Sequence, residues 1–239
     1  MSIWSQLRHL FRRFTWNADV RRVYKEREYI EAYSWHTDVR VVRDPHEAVG
    51  GMWEEIGKLQ FDFMLRVSLR PADRLLDIGC GTLRGGRHFI RYLESGRYTG
   101  IDISERAIAS AHMLVETERL EAKRPRLLVS RNRDLKFEEF AGETFDVLLA
   151  QSVFTHLRPE HIEECFEHVS SIMHPASTFY FTYAEAPEFT QTRVEGFRYP
   201  RHFFQDMAYR YKFRLTDHSA DYPHPRGQQM AAVRLKPAT

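Results

Sequence analysis

The sequence predicts an α/β domain, in which helices cover both faces of a mostly parallel β-sheet. Stretches typical of buried strands alternate with stretches of helical spacing, and such regular alternation indicates a parallel sheet. Phe145–Ala150 is a mainly apolar run, as expected for a strand that is covered on both faces. The last two predicted strands, Arg214–Ser219 and Met230–Lys236, have no helix between them and should therefore pair antiparallel.

Each element has a local signal in the sequence. Between residues 44 and 69, Gly50-Gly51 interrupts the chain before a helix whose apolar residues recur at helical spacing. Ser104 offers a hydroxyl N-cap to the helix after the second strand, and Pro159 occupies an allowed first-turn position. The predicted parallel strands are Arg74–Asp77, Tyr98–Ile103, Arg126–Ser130, Phe145–Ala150 and Ala176–Tyr183, and further helices are predicted over Arg84–Glu94 and near Pro200–Arg210.

The loop after the first strand and the acid after the second strand carry the clearest functional signal. Gly79 and Gly81 lack a Cβ, so the backbone turns tightly and a ligand approaches closely. Asp102 stands at the tip of the second strand, where a carboxylate accepts ribose hydroxyls. A nicotinamide dinucleotide site would have a third glycine where Arg84 stands, and Asp77 is an additional acid before the loop. These features favour an adenosine-containing ligand other than NAD.

This pattern, Asp77-x-Gly79-x-Gly81 with Asp102 downstream, resembles motif I and the acidic strand of class I S-adenosylmethionine (SAM) dependent methyltransferases. Phe145–Leu157 resembles motif IV of the same family. The resemblance implies a seven-stranded, mostly parallel Rossmann-like sheet in the order 3-2-1-4-5-7-6, with SAM as the cofactor. The amino-acid sequences of the glycine loop and of Ser152–Leu157 are similar to those of bacterial small-molecule and glycan methyltransferases. Ala176-Ser177 departs from the glycine pair that the family usually has before its fifth strand.

The resemblance also implies where the cofactor binds. In open parallel sheets, ligands bind beyond the carboxyl ends of the strands, so the loops there should converge. Ile103 would pack on the adenine, and the backbone near Gln151 would meet the sulfonium end. The predicted cofactor-binding residues are Asp77, Gly79, Cys80, Gly81, Arg84, Asp102, Ile103, Asn132, Asp134 and Gln151.

A hydroxyl acceptor needs a base for its proton, and a histidine with a near-neutral pKa suits that task. His156 follows the fourth strand and His224 lies in the loop of the last hairpin; both are candidate bases, and for both the alternative is a role in shaping the loop. The predicted substrate-binding residues are Trp53, Tyr183, Glu185, Arg193, Tyr222 and Arg226. Trp53 could instead be an aromatic residue of the core, and the arginines could instead be solvated surface residues. No set of residues has the spacing of metal ligands.

The sequence therefore predicts a SAM-dependent methyltransferase that acts on a hydroxyl of a small molecule or glycan. Two alternatives remain open: methylation at nitrogen or carbon, and a catalytically silent SAM-binding scaffold. Enzymes that methylate amino groups of DNA bases typically have the motif Asp/Asn-Pro-Pro-Tyr after the fourth strand. This chain has the sequence AQSV at Ala150–Val153 instead, which argues against that class. The net charge of +2 gives no reason to expect a nucleic-acid partner.

The predicted organisation is an N-terminal helical extension, residues 1–43, and a methyltransferase domain, residues 44–239. In residues 3–14, apolar side chains would lie on one face of a helix and polar or basic ones on the other. One interpretation is that the helix packs on its own domain or on a dimer partner. The other is that it contacts an anionic membrane surface. The chain has two cysteines without a pairing pattern, which favours a reducing compartment. We therefore expect a cytoplasmic protein, with membrane association and a homodimer as open alternatives.

Overall fold

The computed structural model describes residues 20–237. The amphipathic segment 3–14, for which membrane contact is one interpretation, lies outside the described residues. Among the helices within residues 20–237, none is long and apolar enough to cross a membrane.

The structure is built on one seven-stranded sheet with the order β3-β2-β1-β4-β5-β9-β8. β1 to β5 are parallel, and β9 pairs antiparallel with both β5 and β8. The hairpin β6–β7 follows β5 and precedes β8 in the chain, and it is not part of this sheet. When only the strands of the sheet are numbered in chain order, their order is the predicted 3-2-1-4-5-7-6. The strands are β1 Leu75–Ile78, β2 Tyr98–Asp102, β3 Arg126–Val129, β4 Phe145–Ala150, β5 Met173–Ala184, β6 Thr190–Arg193, β7 Gly196–Arg198, β8 Phe213–Asp217 and β9 Gln228–Leu235.

Helices flank both faces of the sheet. Residues 20–26 form α1, and the others are α2 Tyr29–Arg43, α3 Pro45–Ala48, α4 Trp53–Arg66, α5 Gly86–Tyr92, α6 Glu105–Thr117, α7 Pro159–His168 and α8 Arg201–Arg210. Short 3-10 turns occur at Glu121–Lys123, Glu138–Phe140, Phe154–His156, Val169–Ile172 and Ser219–Asp221. Helix α5 begins two residues later than predicted, because the glycine loop continues through Gly85.

Strand β5 begins earlier than predicted and includes Pro175, which has no N–H for the ladder. The register between β4 and β5 shifts between Phe145 and Val147, so a bulge accommodates the proline. The hydroxyl of Ser177 donates to the carbonyl of Phe145 at 2.6 Å and accepts from the N–H of His174 at 2.8 Å. Ser177 thus satisfies backbone groups where the family's usual glycine pair is missing.

The core consists of two hydrophobic clusters, one on each face of the sheet. Leu148 and Ala150 of β4 belong to one cluster, whereas Val147 and Leu149 belong to the other. This two-sided burial is the reason that β4 is apolar along nearly its whole length.

Helix α2 is attached to the carboxyl end of β2. The Ser34 hydroxyl donates to the carbonyl of Ile103 at 3.0 Å, and the Ser104 hydroxyl donates to Asp38 Oδ1 at 2.6 Å. The same Ser104 oxygen accepts the N–H of Ala107 at 3.0 Å and so caps α6, as predicted. One hydroxyl therefore joins the start of α6 to α2.

Replacement of Ser104 by alanine should lower the free energy of unfolding by about 1–2 kcal/mol, because both the helix cap and the contact with Asp38 are lost. Urea denaturation measures the change. Ser171→Ala is the control, because that exposed hydroxyl donates only to the nearby carbonyl of His168, and its effect should stay within about 0.5 kcal/mol. Equal losses in the two variants would contradict this account of Ser104.

Candidate cofactor-binding and active site

A cavity of about 260 Å³ lies beyond the carboxyl ends of the parallel strands, which is where open α/β sheets bind ligands. Its wall combines the loops after β1, β2, β3 and β4 with helix α2, the segment 48–50 and the turn between β6 and β7. Regions that are distant in the sequence therefore meet at one end of the sheet.

The glycine loop after β1 has backbone angles and close contacts that only glycine accommodates at residues 79 and 81. Gly79 and Gly81 have φ angles of +69° and +55°, in the region that favours glycine. A Cβ at residue 79 would lie 2.6 Å from Val153 Cγ2, and one at residue 81 would lie 2.6 Å from Val49 Cγ1. Both glycines are therefore required by conformation and by close packing, and both approach the segments that close the cavity.

Asp102 lies at the floor of the cavity with its carboxylate fixed by the backbone. Oδ2 accepts the N–H of Gly81 and Oδ1 accepts the N–H of Ser104, each at 2.9 Å. Burial raises the pKa of Asp102 above its ordinary value, and the two backbone hydrogen bonds oppose that rise. Each carboxylate oxygen has a further lone pair, so additional hydroxyl donors from a ligand would compensate the burial.

Asp77 lies deeper, behind the glycine loop. Its Oδ2 accepts the hydroxyl of Tyr98 at 2.7 Å. Burial raises the pKa of Asp77 to about 7, although the Tyr98 hydrogen bond lowers it. A cationic ligand group near this carboxylate would favour its ionised form.

Arg84 connects the glycine loop to the segment before α4. Its Nη1 donates to the carbonyls of Val49, at 2.6 Å, and Gly51, at 3.1 Å, while Arg226 Nη2 donates to the carbonyl of Gly50. Burial lowers the pKa of Arg84 to about 10. Its buried Nε has no hydrogen-bond partner among residues 20–237, which leaves a donor that a ligand carboxylate would satisfy.

The carboxyl end of β4 carries a polar network at the floor of the cavity. Gln151 Oε1 accepts the hydroxyl of Tyr222 at 2.7 Å. Gln228 Oε1 accepts the hydroxyls of Thr182 at 2.8 Å and of Ser152 at 3.0 Å. Ser152 has a φ of +60°, and its N–H donates to Thr182 Oγ1 at 2.7 Å. The ends of β4, β5 and β9 are thereby held together.

The remaining predicted cofactor residues separate into two groups. Ile103, Asp134 and Cys80 line the cavity. Cys80 also packs toward β2, since a Cβ at residue 100 would lie 2.9 Å from its Sγ. Asn132 is exposed, is absent from the wall, and its Nδ2 donates to Glu138 Oε2 at 3.4 Å; the turn after β3 directs it away from the cavity.

His156 lines the cavity next to α2. Its Nδ1 lies 2.6 Å from the carbonyl oxygen of Glu195, in the turn between β6 and β7. Tyr33 stacks on the imidazole with ring centroids 5.4 Å apart, and the Tyr29 hydroxyl donates to the carbonyl of His156 at 2.6 Å. Burial lowers the pKa of His156 below its ordinary value, so the imidazole is neutral at neutral pH.

His224, the other candidate base, is not part of the cavity wall. It is 7% exposed, and its Nδ1 accepts the N–H of Arg226 at 3.2 Å. Burial, together with the charges of Arg84 and Arg226, lowers its pKa to about 4. The lone pair of Nδ1 is therefore engaged by the backbone, while the buried Nε2 has no hydrogen-bond partner within residues 20–237.

Of the predicted substrate-binding residues, Arg193 and Arg226 line the cavity and Trp53, Tyr183, Glu185 and Tyr222 do not. Trp53 stacks on His46 with centroids 4.0 Å apart. Tyr183 is buried in the core against Phe204, with centroids 4.4 Å apart.

Glu185 and Tyr222 are also separated from the cavity by their surroundings. Glu185 is exposed at the end of β5, where it forms a bridge with Tyr199. Tyr222 is buried and reaches the site only through its hydrogen bond to Gln151.

Helix α2 supplies wall residues that the sequence reasoning missed. Ile30, Tyr33, Thr37 and Arg40 all line the cavity, although the predicted division places them in the N-terminal extension. Their spacing of three, four and three residues marks one face of a helix. That stripe was the available signal, but its mixed polarity resembles an ordinary surface helix. Glu195 and Ser152 were also missed, because each depends on a loop conformation.

The residues of the cavity fit SAM. Gly79 and Cys80 of the glycine loop line the cavity, Asp102 has free lone pairs for hydroxyl donors, and the unpaired Nε of Arg84 would complement a carboxylate. Within residues 20–237, no cluster of three or more histidine, cysteine, aspartate or glutamate side chains is arranged to hold a metal ion.

Comparison with known structures shows the same fold at low sequence identity. The phosphoethanolamine N-methyltransferase 2 of Haemonchus contortus, solved with phosphomonomethylethanolamine and S-adenosylhomocysteine (SAH), is 14% identical with a TM-score of 0.63, over 84% of this chain and 58% of that one. The DhpI–SAH complex is 15% identical with a TM-score of 0.61, over 88% and 98% of the two chains. Magnesium protoporphyrin IX methyltransferase from Synechocystis PCC 6803, with bound SAM, is 14% identical with a TM-score of 0.57, over 76% and 81%.

Residues 76–179 match the family model described as a methyltransferase domain. These residues extend from β1 into β5 and include the glycine loop, Asp102 and His156. The chain therefore has the fold of these solved structures, and its residues 76–179 match a methyltransferase domain.

Proposed function

We propose that this protein transfers the methyl group of SAM to a hydroxyl group of a small molecule or glycan. The observation that carries the proposal is His156, a neutral imidazole in the cavity wall whose Nδ1 is bonded to a backbone carbonyl. A hydroxyl acceptor has a proton to lose, and this histidine is suited to take it.

In the proposal, the chain holds the cofactor through the carboxyl ends of β1, β2 and β4. Asp102 would accept the two ribose hydroxyls while keeping its backbone contacts, and Ile103 would pack against the adenine. Arg84 Nε would donate to the carboxylate of the methionine part, and the Asp77 carboxylate would attract its ammonium group. Bound SAM supplies an electrophilic methyl group and a sulfide that leaves with the electrons of the carbon–sulfur bond.

The protonation state of His156 follows from its hydrogen bond. A carbonyl oxygen only accepts hydrogen bonds, so Nδ1 carries the proton at 2.6 Å from Glu195 O. The lone pair of the neutral imidazole is then on Nε2. Nε2 takes the proton of the acceptor hydroxyl as its oxygen bonds to the methyl carbon.

The walls around His156 serve to orient the acceptor and exclude water. Tyr33 and Thr37 of α2 and the turn between β6 and β7 enclose the imidazole. Holding a nucleophile about 3–3.5 Å from its target, in line with the leaving group, contributes roughly 7–11 kcal/mol to the lowering of a barrier. We propose that α2 and this turn provide that orientation.

Asp102→Asn should weaken SAH binding by about 10–100-fold, because hydrogen bonds to a charged acceptor are stronger than those to a neutral amide. Isothermal titration with SAH measures the change. Asp62→Asn is the control, because Asp62 is an exposed residue paired with Lys58 on α4. An affinity for SAH that Asp102→Asn leaves intact would remove Asp102 from the cofactor site.

His156→Gln should lower the rate constant of methyl transfer about 10²–10⁴-fold, because glutamine cannot take a proton. The affinity for SAH should remain within about threefold. The assay follows SAH production with the best acceptor from a set of hydroxyl compounds, and His168→Gln on the exposed face of α7 is the matched control. An undiminished rate would exclude the base role and favour methylation at nitrogen or carbon, whereas SAH binding without turnover on any acceptor would favour a scaffold.

The rate constant at saturating SAM should fall as the pH is lowered. The base acts when it is neutral, and burial places the pKa of His156 below the usual value of about 6.5. Activity should therefore be constant near pH 7–8 and decrease tenfold per pH unit on the acid side of that lowered pKa. An acid limb centred above pH 7 would be inconsistent with His156 as the base.

A further inference from the structure

We propose that the methyl acceptor carries a carboxylate or phosphate group, which Arg40 and Arg193 bind beside His156. The inference rests on the proposed function, because it names the class of acceptor for that reaction. It starts from a second cavity that adjoins the cofactor cavity.

The second cavity has a volume of about 800 Å³, within the range of small-molecule sites. It lies between α1, α2, α3 and the β6–β7 hairpin. Arg40, Ala48, Arg193 and Glu195 belong to the walls of both cavities. An acceptor in the second cavity therefore has its reacting end next to the residues that surround His156.

Arg40 and Arg193 both face this junction with their charge uncompensated by a direct ion pair. Arg40 is half-buried, and its Nη2 donates to the carbonyl of Glu47 at 2.9 Å, which orients the guanidinium and leaves other N–H groups available. Within residues 20–237, neither arginine has a carboxylate oxygen within 4.0 Å. Beyond the effect of burial, both charges lower the pKa of His156, so both lie close to the imidazole.

Three acids also line the second cavity, and two of them are engaged by neighbouring groups. Asp44 Oδ1 accepts the N–H groups of His46 and Glu47, at 2.9 and 3.1 Å, and caps α3. The Glu47 carboxylate lies against Gly51, where a Cβ would be 2.9 Å from Oε1.

Glu195 is the third acid, and its carboxylate raises the pKa of both His36 and His156 against the effect of burial. Burial lowers the pKa of His36 to about 4, and the Glu195 carboxylate is the largest opposing influence. Arg21 and Arg43 add two further guanidinium groups to the outer wall. The arginines therefore remain the groups available to a ligand anion.

An anionic group is the ligand chemistry that this arrangement favours. Guanidinium groups form paired, charge-assisted hydrogen bonds with carboxylate and phosphate oxygens. In a partly enclosed cavity these bonds are less screened than at an open surface. Anchoring the acceptor at Arg40 and Arg193 would leave a hydroxyl several bonds away free to reach His156 Nε2, so the charge would orient the nucleophile as well as bind it.

The first test measures anion binding apart from catalysis. Protein saturated with SAH is titrated with inorganic phosphate and, separately, with malonate at constant ionic strength. Arg193→Gln and Arg40→Gln should each weaken the binding at least tenfold, whereas Arg198→Gln should change it less than twofold. Arg198 is the matched control because it is exposed on β7 of the same hairpin and lines neither cavity. Unchanged anion binding in the Arg40 and Arg193 variants would overturn the inference.

Because Arg40 also contacts the backbone of α3, loss of folding in Arg40→Gln would leave Arg193→Gln and Arg193→Lys to decide the matter. Arg193 lies on the exposed hairpin, and lysine keeps the charge but not the paired geometry. We expect intermediate anion affinity for Arg193→Lys. Glutamine and lysine variants that both bind anions as the wild type does would overturn the proposal.

The second test compares acceptors in matched sets, such as glucose, glucose 6-phosphate and glucuronate. The charged members should have a kcat/KM at least tenfold above the neutral member, and Arg193→Gln should abolish that preference while Arg198→Gln keeps it. Equal methylation of neutral and charged members would refute the anion site and leave the hydroxyl methyltransferase standing. Arginine-dependent phosphate binding without methylation of any hydroxyl acceptor would refute the proposed function and leave the anion site standing.

Discussion

The arrangement of the site depends on the carboxylate of Asp102. It accepts one backbone N–H from Gly81 and one from Ser104, so the glycine loop and the start of α6 are held at a single point. Ser104 continues the connection through its hydroxyl to Asp38 of α2. Burial makes the negative charge of Asp102 costly. The same group therefore organises three segments and has a strong tendency to bind further hydrogen-bond donors.

Around this point, helix α2 has a function that its place in the sequence does not suggest. It packs on the end of β2 through Ser34 and contributes Tyr33 and Arg40 to the cavity wall. Tyr29, at its first residue, donates to the carbonyl of His156. Helix α2 thus lines the cofactor cavity and the second cavity, and it also contacts the candidate base. The geometry of all three therefore depends on how α2 is packed.

The opposite wall is held by the last loop of the chain. Arg226 donates to the Gly50 carbonyl, Tyr222 donates to Gln151, and Gln228 accepts from Thr182 and Ser152. These contacts join residues that are about 50–180 positions apart in the sequence. Since buried polar groups are costly when unpaired, the network restricts the loop after β4 and the loop before β9 to one arrangement.

The sequence by itself determined the alternation of strands and helices, the glycine loop and the position of Asp102, because burial on both faces, tight turns and short spacings are local properties of the chain. The strand order was implied by the resemblance to the methyltransferase family. Only the tertiary structure distinguishes the surroundings of His156 from those of His224. Both follow predicted strands, but the conformations of their loops direct one into the cavity and the other into backbone contacts. The same holds for Trp53, whose aromatic ring stacks on His46 outside the cavity wall. Which side chains face a cavity depends on long-range packing, and periodicity contains no information about that.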